Sequence, residues 1–436
     1  IPEIIDTQYY EYSRYVIESR AIPNVVDGLK PVQRRALWVA KKNAQKWIKV
    51  SKLAGATLSI HPHGPNSVES AISNMTQYFA GANNICWFDG KGAFGSRIAG
   101  PGNGIGAARY VSVKISDNFN NILNTDSNLI EMIPNYDDTE KEPKYFLPII
   151  PTILSNPIRG IAVGFACNIL PRKISDIIRC QENYLQGKGF REPKVYFEGF
   201  KGEIEKIEEN KWEVTGCFER KTNKKIIITE LPIGWDREKY IKHLDSLEEK
   251  EIISSFTDDC TDSFQFTIKL RKPLEDDEFI DKFKLKNILH ENIMVIDVNG
   301  KIRKMTVTEI IKEFTDFRFK FYLKRFKKMG NENKDDYYLK RDLLTVIQKG
   351  LFKKFPNLNK KEIRQLLLDN EIKENNITRI INVPIYKFGK EEVDKLKNEL
   401  KELKEKIQYL LKLCKNEGLR KNKYIKELKN IKNRIK

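Results

Sequence analysis

Long apolar runs are missing from this chain of 436 residues. Its greasiest stretch, Phe146–Leu154, is interrupted by Pro148 and Pro151, and nothing approaches the roughly 18 consecutive apolar residues of a membrane-spanning helix. A helical membrane span is excluded, and a soluble protein is expected. Cysteine is sparse: Cys86, Cys167, Cys180, Cys217, Cys260 and Cys414 lie far apart, with neither CxxC nor CxxH spacing. No zinc site or disulfide framework is spelled out, and reduced thiols in a cytoplasmic protein are expected. Histidine is rarer still, at 4, and the pattern Asp-x-Asp does not occur. No Gly-Lys-Ser/Thr follows four variable residues after a glycine, and the glycines from Gly100 to Gly106 miss the dinucleotide spacing, so neither an ATP nor an NAD site is supported. The chain opens at Ile1 without a methionine or a secretory signal pattern, and further N-terminal residues are expected ahead of it.

What the chain has in surplus is positive charge: 78 Lys plus Arg against 60 Asp plus Glu, a net +18. A polyanion is the expected partner, nucleic acid first, although solvated helix faces also carry such charge. The surplus is uneven. Residues 301–436 hold 38 basic and 19 acidic side chains, residues 1–300 hold 40 and 41, and residues 1–120 alone hold 14 and 8.

Residues 1–58 read as helices. Tyr10, Tyr12, Tyr15, Val16 and Ser19 fall near helical spacing, Pro23 and Gly28 break the pattern, and a second helix is predicted from Pro31 through Val32, Leu37 and Val39. Helix, turn and helix carrying Lys30, Arg34 and Arg35 outline a DNA-binding unit; an ordinary helical pair with a basic solvated face has the same outline. Small residues concentrate in 59–110, where the glycines imply backbone closely approached by something else. Period-two alternation takes over from Lys201 to Pro232, with a helix predicted over 236–249 and a strand near Phe264–Leu270, so a mixed α+β domain is expected over about 151–305. After Thr306 the apolar residues Ile310, Phe314, Phe317 and Phe321 return four and three apart, and Val393, Leu396, Leu400, Leu403, Ile407, Leu410 and Cys414 continue that spacing. Two long helices separated by about 65 residues are expected to pair as an antiparallel coiled coil with a helical cluster at its tip.

Four blocks carry a resemblance. Ser19–Arg35, His61-Pro-His-Gly64, Asp89-Gly-Lys-Gly-Ala-Phe-Gly-Ser96 and Ala107-Ala-Arg-Tyr110 resemble, in order and approximate spacing, the DNA breakage-reunion core of type IIA topoisomerases. A fifth match runs from Leu147-Pro-Ile-Ile-Pro151 through Gly160-Ile-Ala-Val-Gly164 to Leu170-Pro171. The chain is similar over nearly its whole length to the A subunits of gyrase and topoisomerase IV, and its length and C-terminal half look most like the medium subunit of T-even phage enzymes.

The resemblance implies an α+β multi-domain fold: a winged-helix (helix-turn-helix) DNA-cleavage domain over 1–150, a mixed α/β tower domain over 151–305, and a long antiparallel coiled coil with a helical dimerisation tip over 306–436, the tip at about 345–390. It implies that Tyr110 is the nucleophile. A tyrosine suits reversible cutting, because a covalent phosphotyrosyl link keeps the phosphodiester energy and a phenol, with an ordinary pKa of about 10, leaves far more readily than a serine alkoxide. Arg109 then stabilises charge on the phosphoryl oxygens, His61 lies near the nucleophile and Arg20 supports the cleavage site. Lys30, Arg34 and Arg35 are carried over as contacts to the DNA backbone, with His63, Lys91 and Ser96 in the DNA-facing blocks. Ile161 matches the apolar wedge that enters a base step and bends the duplex; as a bare sequence feature, an isoleucine between Gly160 and Ala162 is more often core. His61 and His63, one residue apart, also allow a metal-site reading, against which stand the lack of a nearby cysteine and of any acid before Glu69.

The resemblance further implies Mg²⁺ and ATP held by a second subunit that carries ATPase and Toprim domains, since the adjacent acids Asp137-Asp138 and Asp258-Asp259 do not form the required cluster and no metal is expected on this chain. The other implied partners are double-stranded DNA and a second copy of the chain, joined through the tip, in the cytoplasm of a host if phage-encoded. Three departures stand out. Asn66 and Ser70 replace the serine and acid usual in gyrase, so reduced fluoroquinolone sensitivity is expected; Lys91 replaces a usual glutamine; and the chain ends without a wrapping domain, so ATP-dependent relaxation and decatenation rather than negative supercoiling are expected. A non-enzymatic winged-helix factor dimerising through its coiled coil is the competing reading, and it leaves Arg109-Tyr110 and His61-Pro-His-Gly64 without a purpose. A coiled-coil scaffold accounts only for the last third.

Overall fold

Pro31 starts a helix, as its fixed φ and missing N–H favour. In the computed structural model, which describes residues 21–162 and 164–434, that helix is α1 (Pro31–Asn43), and Gln33 accepts the Lys30 N–H at 2.9 Å across its first turn. The segment 1–20, including Arg20 and the first expected helix, lies outside the described residues. The chain divides into two units: the described residues up to Arg318 with those from Ile425 onward, and Phe319–Tyr424.

In the first unit α1 packs with α2 (Val50–Thr57) and α3 (Pro65–Asn74). Leu37, Ala40, Val50, Leu53, Val68 and Ile72 recur at helical spacing and are all fully buried. Beside them lies an antiparallel sheet in the order β1 (Ile48–Lys49), β3 (Ser112–Ile115), β2 (Phe88–Lys91). Further along, a two-stranded sheet pairs β4 (Met132–Pro134) with β5 (Lys141–Pro143), and a hairpin pairs β6 (Ile158–Ala162) with β7 (Phe165–Ile169).

The alternating segment forms strands as its period-two pattern predicts. A four-stranded antiparallel sheet contains β10 (Cys217–Thr222), β11 (Lys225–Glu230), β13 (Phe266–Leu270) and β12 (Ile253–Asp258), in that order, and is covered by α5 (Arg237–Glu249), whose Tyr240, Leu244 and Leu247 join Ile226, Ile228, Phe266 and Ile268 in one core. Helix α4 (Ile174–Leu185) precedes it. A second sheet, β14 (Lys286–His290), β9 (Lys211–Thr215), β8 (Glu203–Glu208), buries Trp212, Val214 and Leu289 against Val195 and Phe197. Asp236 caps α5 by accepting the Lys239 N–H at 2.9 Å.

Two helices divide their residues between the units: α7 (Val307–Gln348) and α11 (Glu417–Arg434). The short α6 (Asp276–Lys282) lies earlier in the chain. Within the second unit, α10 (Lys390–Lys415) lies beside α7, with Lys340 paired to Glu399 at 3.1 Å, and Tyr322 stacks on Tyr424 at 4.5 Å. Position 340 meets 399 while 322 meets 424, so the chain returns antiparallel. Helices α8 (Lys360–Asp369) and α9 (Glu374–Ile381) bury Ile363, Leu367, Ile377 and Ile380 with Val346 and Leu351. Buried Asp342 ties α7 to them by accepting the Asn376 amide at 2.9 Å and the Lys373 N–H at 3.2 Å.

Candidate active site

Tyr110 sits on a turn, its N–H donated to the Ala107 carbonyl at 2.8 Å, immediately before the chain enters β3. Strand side chains alternate. Val111, Val113 and Ile115 point inward and are buried, leaving Tyr110 67% exposed. The Arg109 guanidinium lies 4.8 Å from its ring centroid, and the Lys49 ammonium donates to its carbonyl oxygen at 2.7 Å.

Register extends this exposed face. Ser112 is paired on one side with Lys49 of β1 and on the other with Lys91 of β2, so Lys49, Ser112 and Lys91 form a row across the sheet, two residues from Tyr110. Lys49 escaped sequence reasoning: it is 61 residues from Tyr110, and only the pairing of a two-residue strand brings them together. The end of β2 and the loop after it depend on glycine. A Cβ on Gly90 would stand 2.6 Å from Thr76 Cγ2, and Gly95, at φ +83°, would place one 2.4 Å from the Asn103 carbonyl oxygen. Ser96 is exposed in this loop and its Oγ accepts the Ala99 N–H at 3.3 Å.

The basic residues of α1 behave differently from the sequence expectation. Arg34, assigned to the DNA backbone, is turned inward and 8% exposed. Its Nε and Nη2 bond both carboxylate oxygens of fully buried Asp27, at 2.6 and 2.8 Å, and Nη2 also donates to the Leu29 carbonyl at 2.9 Å. A guanidinium bonded by two nitrogens to a buried carboxylate acts as a structural strut. Arg35 is likewise committed: Nε and Nη2 grip Glu142 of β5 at 2.5 and 2.9 Å, and Nη1 faces His61 Nδ1 at 3.3 Å. Lys30 is half-buried and donates to the Arg159 carbonyl at 2.5 Å, joining α1 to the β6–β7 hairpin; burial lowers its pKa.

His61 is 5% exposed, with Nε2 at 3.3 Å from Ser67 Oγ and its ring edge-on to half-buried His63 at 5.3 Å. Burial first, then Arg35 and His63, push its pKa down to about 4. Both of its ring nitrogens face protein partners, Arg35 at Nδ1 and Ser67 at Nε2. Among the described residues no three His, Cys, Asp or Glu side chains gather to hold a metal ion.

Ile161 is not core. It is 88% exposed on β6, opposite Ala166, while its neighbour Gly160 faces inward, where a Cβ would stand 2.2 Å from the Ala21 carbonyl oxygen.

Residues 20–429 match the family of DNA gyrase/topoisomerase IV A subunits. The chain belongs to that family. It is 34% identical to the DNA topoisomerase medium subunit of Enterobacteria phage T4 over 429 residues, covering 94% of each chain, and 36% identical to DNA topoisomerase 2 of Arabidopsis thaliana over 326 residues, covering 70% of this chain and 22% of that one. The topoisomerase II DNA-binding, cleavage and re-ligation domain of Plasmodium falciparum, a solved structure, superposes with a TM-score of 0.83 at 27% identity, over 98% of this chain and 64% of that one. Membership of the gyrase/topoisomerase IV family makes this chain a type II topoisomerase subunit with a mixed α+β fold. No described helix is long and apolar enough to cross a membrane.

Proposed function

We propose that the chain cuts DNA through Tyr110. The observation that carries this is the two-thirds exposure of the phenol, with Arg109 over its ring, on a face lined by Lys49, Ser112 and Lys91. The phenolic oxygen attacks a backbone phosphorus, the P–O3′ bond breaks, and the 5′ end stays on Tyr110 as a phosphotyrosine; in net, one proton passes from the phenol to the departing 3′ oxygen. Arg109 stabilises the charge that grows on the phosphoryl oxygens, Lys49 and Lys91 hold adjacent phosphates, and His61 lies near the nucleophile. Lys30, His63 and Ser96 contact the duplex, and Ile161 wedges a base step and bends it. Arg20 supports the cleavage site in the same reading.

Two copies cut opposite strands, joined through the tip near 345–390, and a second duplex passes before religation. In this reading 1–150 is the winged-helix cleavage domain, 151–305 the tower, and 306–436 the coiled coil and exit gate. A partner polypeptide with ATPase and Toprim domains supplies Mg²⁺ and ATP, the assembly works in the host cytoplasm, and it relaxes and decatenates DNA rather than adding negative supercoils. The likeness to the T4 medium subunit over 94% of both chains supports the division of labour between two polypeptides. A Tyr110→Phe variant with the partner and Mg²⁺ tests the reading: plasmid cleavage is expected to vanish while DNA binding persists, and persistent cleavage overturns it.

A further inference from the structure

Glu142 has no place in any of the steps above, yet it is 8% exposed and holds Arg35 with both oxygens from a strand 107 residues away. Burying a carboxylate is costly unless its charge is matched and its hydrogen bonds are made. Here the matched cation continues to a third group, because Arg35 Nη1 reaches His61 Nδ1 at 3.3 Å. A guanidinium has hydrogens and no acceptor, so Nδ1 must be the acceptor and the imidazole proton must sit on Nε2. The other end of the ring agrees. Ser67 Oγ donates its own hydrogen to the Gly64 carbonyl at 2.9 Å, which leaves its lone pairs to accept from Nε2–H at 3.3 Å. The two independent contacts select the same tautomer.

We infer that Glu142 is a positioning residue for strand cleavage: through Arg35 it fixes the proton of His61 on Nε2, so that His61 serves as a hydrogen-bond donor and never accepts the phenol proton of Tyr110. This rests on the reading of Tyr110 as the nucleophile. The only lone pair of the neutral ring is engaged by Arg35, so general-base work by His61 is closed off whatever its distance from the phenol. Among the described residues, the charged and titratable groups around the ring are Arg35 from α1, His63 from its own loop, and Glu142 from β5 behind Arg35. The depressed pKa of His61 is consistent with a ring that stays neutral at physiological pH.

Two measurements on the full chain test this. In ¹⁵N spectra of histidine-labelled wild-type protein, which has only 4 histidines, His61 is expected to show a protonated Nε2 and an unprotonated Nδ1 across neutral pH; a proton on Nδ1 overturns the inference without any mutation. In single-turnover cleavage with the partner polypeptide and Mg²⁺, Glu142→Gln is expected to lose about tenfold in rate, the equivalent of one oriented hydrogen bond, with DNA affinity within about twofold. Added to His61→Ala, Glu142→Gln should cost nothing more, since one acts through the other. Additive losses overturn the inference while leaving Tyr110 as nucleophile; cleavage that survives Tyr110→Phe overturns the underlying reading instead.

Discussion

Replacing Asp27 with alanine strands a buried arginine. The carboxylate accepts Nε and Nη2 of Arg34 at 2.6 and 2.8 Å and the backbone N–H groups of Leu29 and Phe146 at 3.1 and 3.0 Å, with no exposure to solvent. After Asp27→Ala the guanidinium keeps, among the described residues, the Leu29 carbonyl at 2.9 Å, and breaking a buried pair in this way costs about 3–5 kcal/mol. A unit of roughly 300 residues has an unfolding entropy of about 0.6 kcal/mol/K, so Tm is expected to fall by about 5–8 °C. Differential scanning fluorimetry measures this directly. Arg34→Gln, which leaves the carboxylate unpaired, is expected to fall comparably, while the salt dependence of DNA binding keeps its wild-type slope. A shift below about 1 °C, or a salt slope lowered by about one in Arg34→Gln, would show that Arg34 is a phosphate contact after all and would overturn the strut assignment.

Further outcomes follow from single contacts. Ile161→Ala removes a side chain that touches little, so stability should stay within about 0.5 kcal/mol while the bend of bound DNA, read by end-to-end energy transfer, decreases; an unchanged bend contradicts the wedge. Gly28→Ala puts a Cβ 2.5 Å from the Ile153 nitrogen at φ +66°, and its urea midpoint should correspond to a loss above about 1 kcal/mol. The folded-state pKa of His61, about 4, lies below the ordinary 6.5, so the unfolded chain binds the proton first and stability is lost as pH falls from 6.5 toward 4. His61→Gln should flatten the dependence of Tm on pH in that window, and an identical slope would contradict the assignment.

Periodicity made much of the architecture readable in advance. Pro31 with Leu37 announced α1, the alternation of Ile226, Ile228, Phe266 and Ile268 announced the central sheet, and the heptad residues from Val393 to Cys414 fall in α10 (Lys390–Lys415). Local pattern is enough where an element buries one face of itself. It fails where a side chain's fate depends on a distant partner. Arg34 and Arg35 look alike on a basic helix, but one meets Asp27 across the Gly28 turn and the other meets Glu142 from β5. Lys49 joins Tyr110 only because a two-residue strand pairs with β3, and no propensity marks so short a strand. Ile161 carried the opposite ambiguity: its sequence environment resembles a core strand, and only the inward position of Gly160 turns its neighbour out to 88% exposure.

A covalent bond between DNA and Tyr110 lies at the heart of the proposed activity. Cleavage with the partner polypeptide and Mg²⁺, stopped with denaturant and followed by nuclease and protease digestion, leaves a nucleotide remnant that mass spectrometry can locate. The remnant is expected on the tyrosine of the peptide containing Arg109-Tyr110, as a phosphotyrosyl ester at a 5′ end. A remnant on another residue, or an undiminished yield of adduct from Tyr110→Phe, would rule Tyr110 out as the nucleophile.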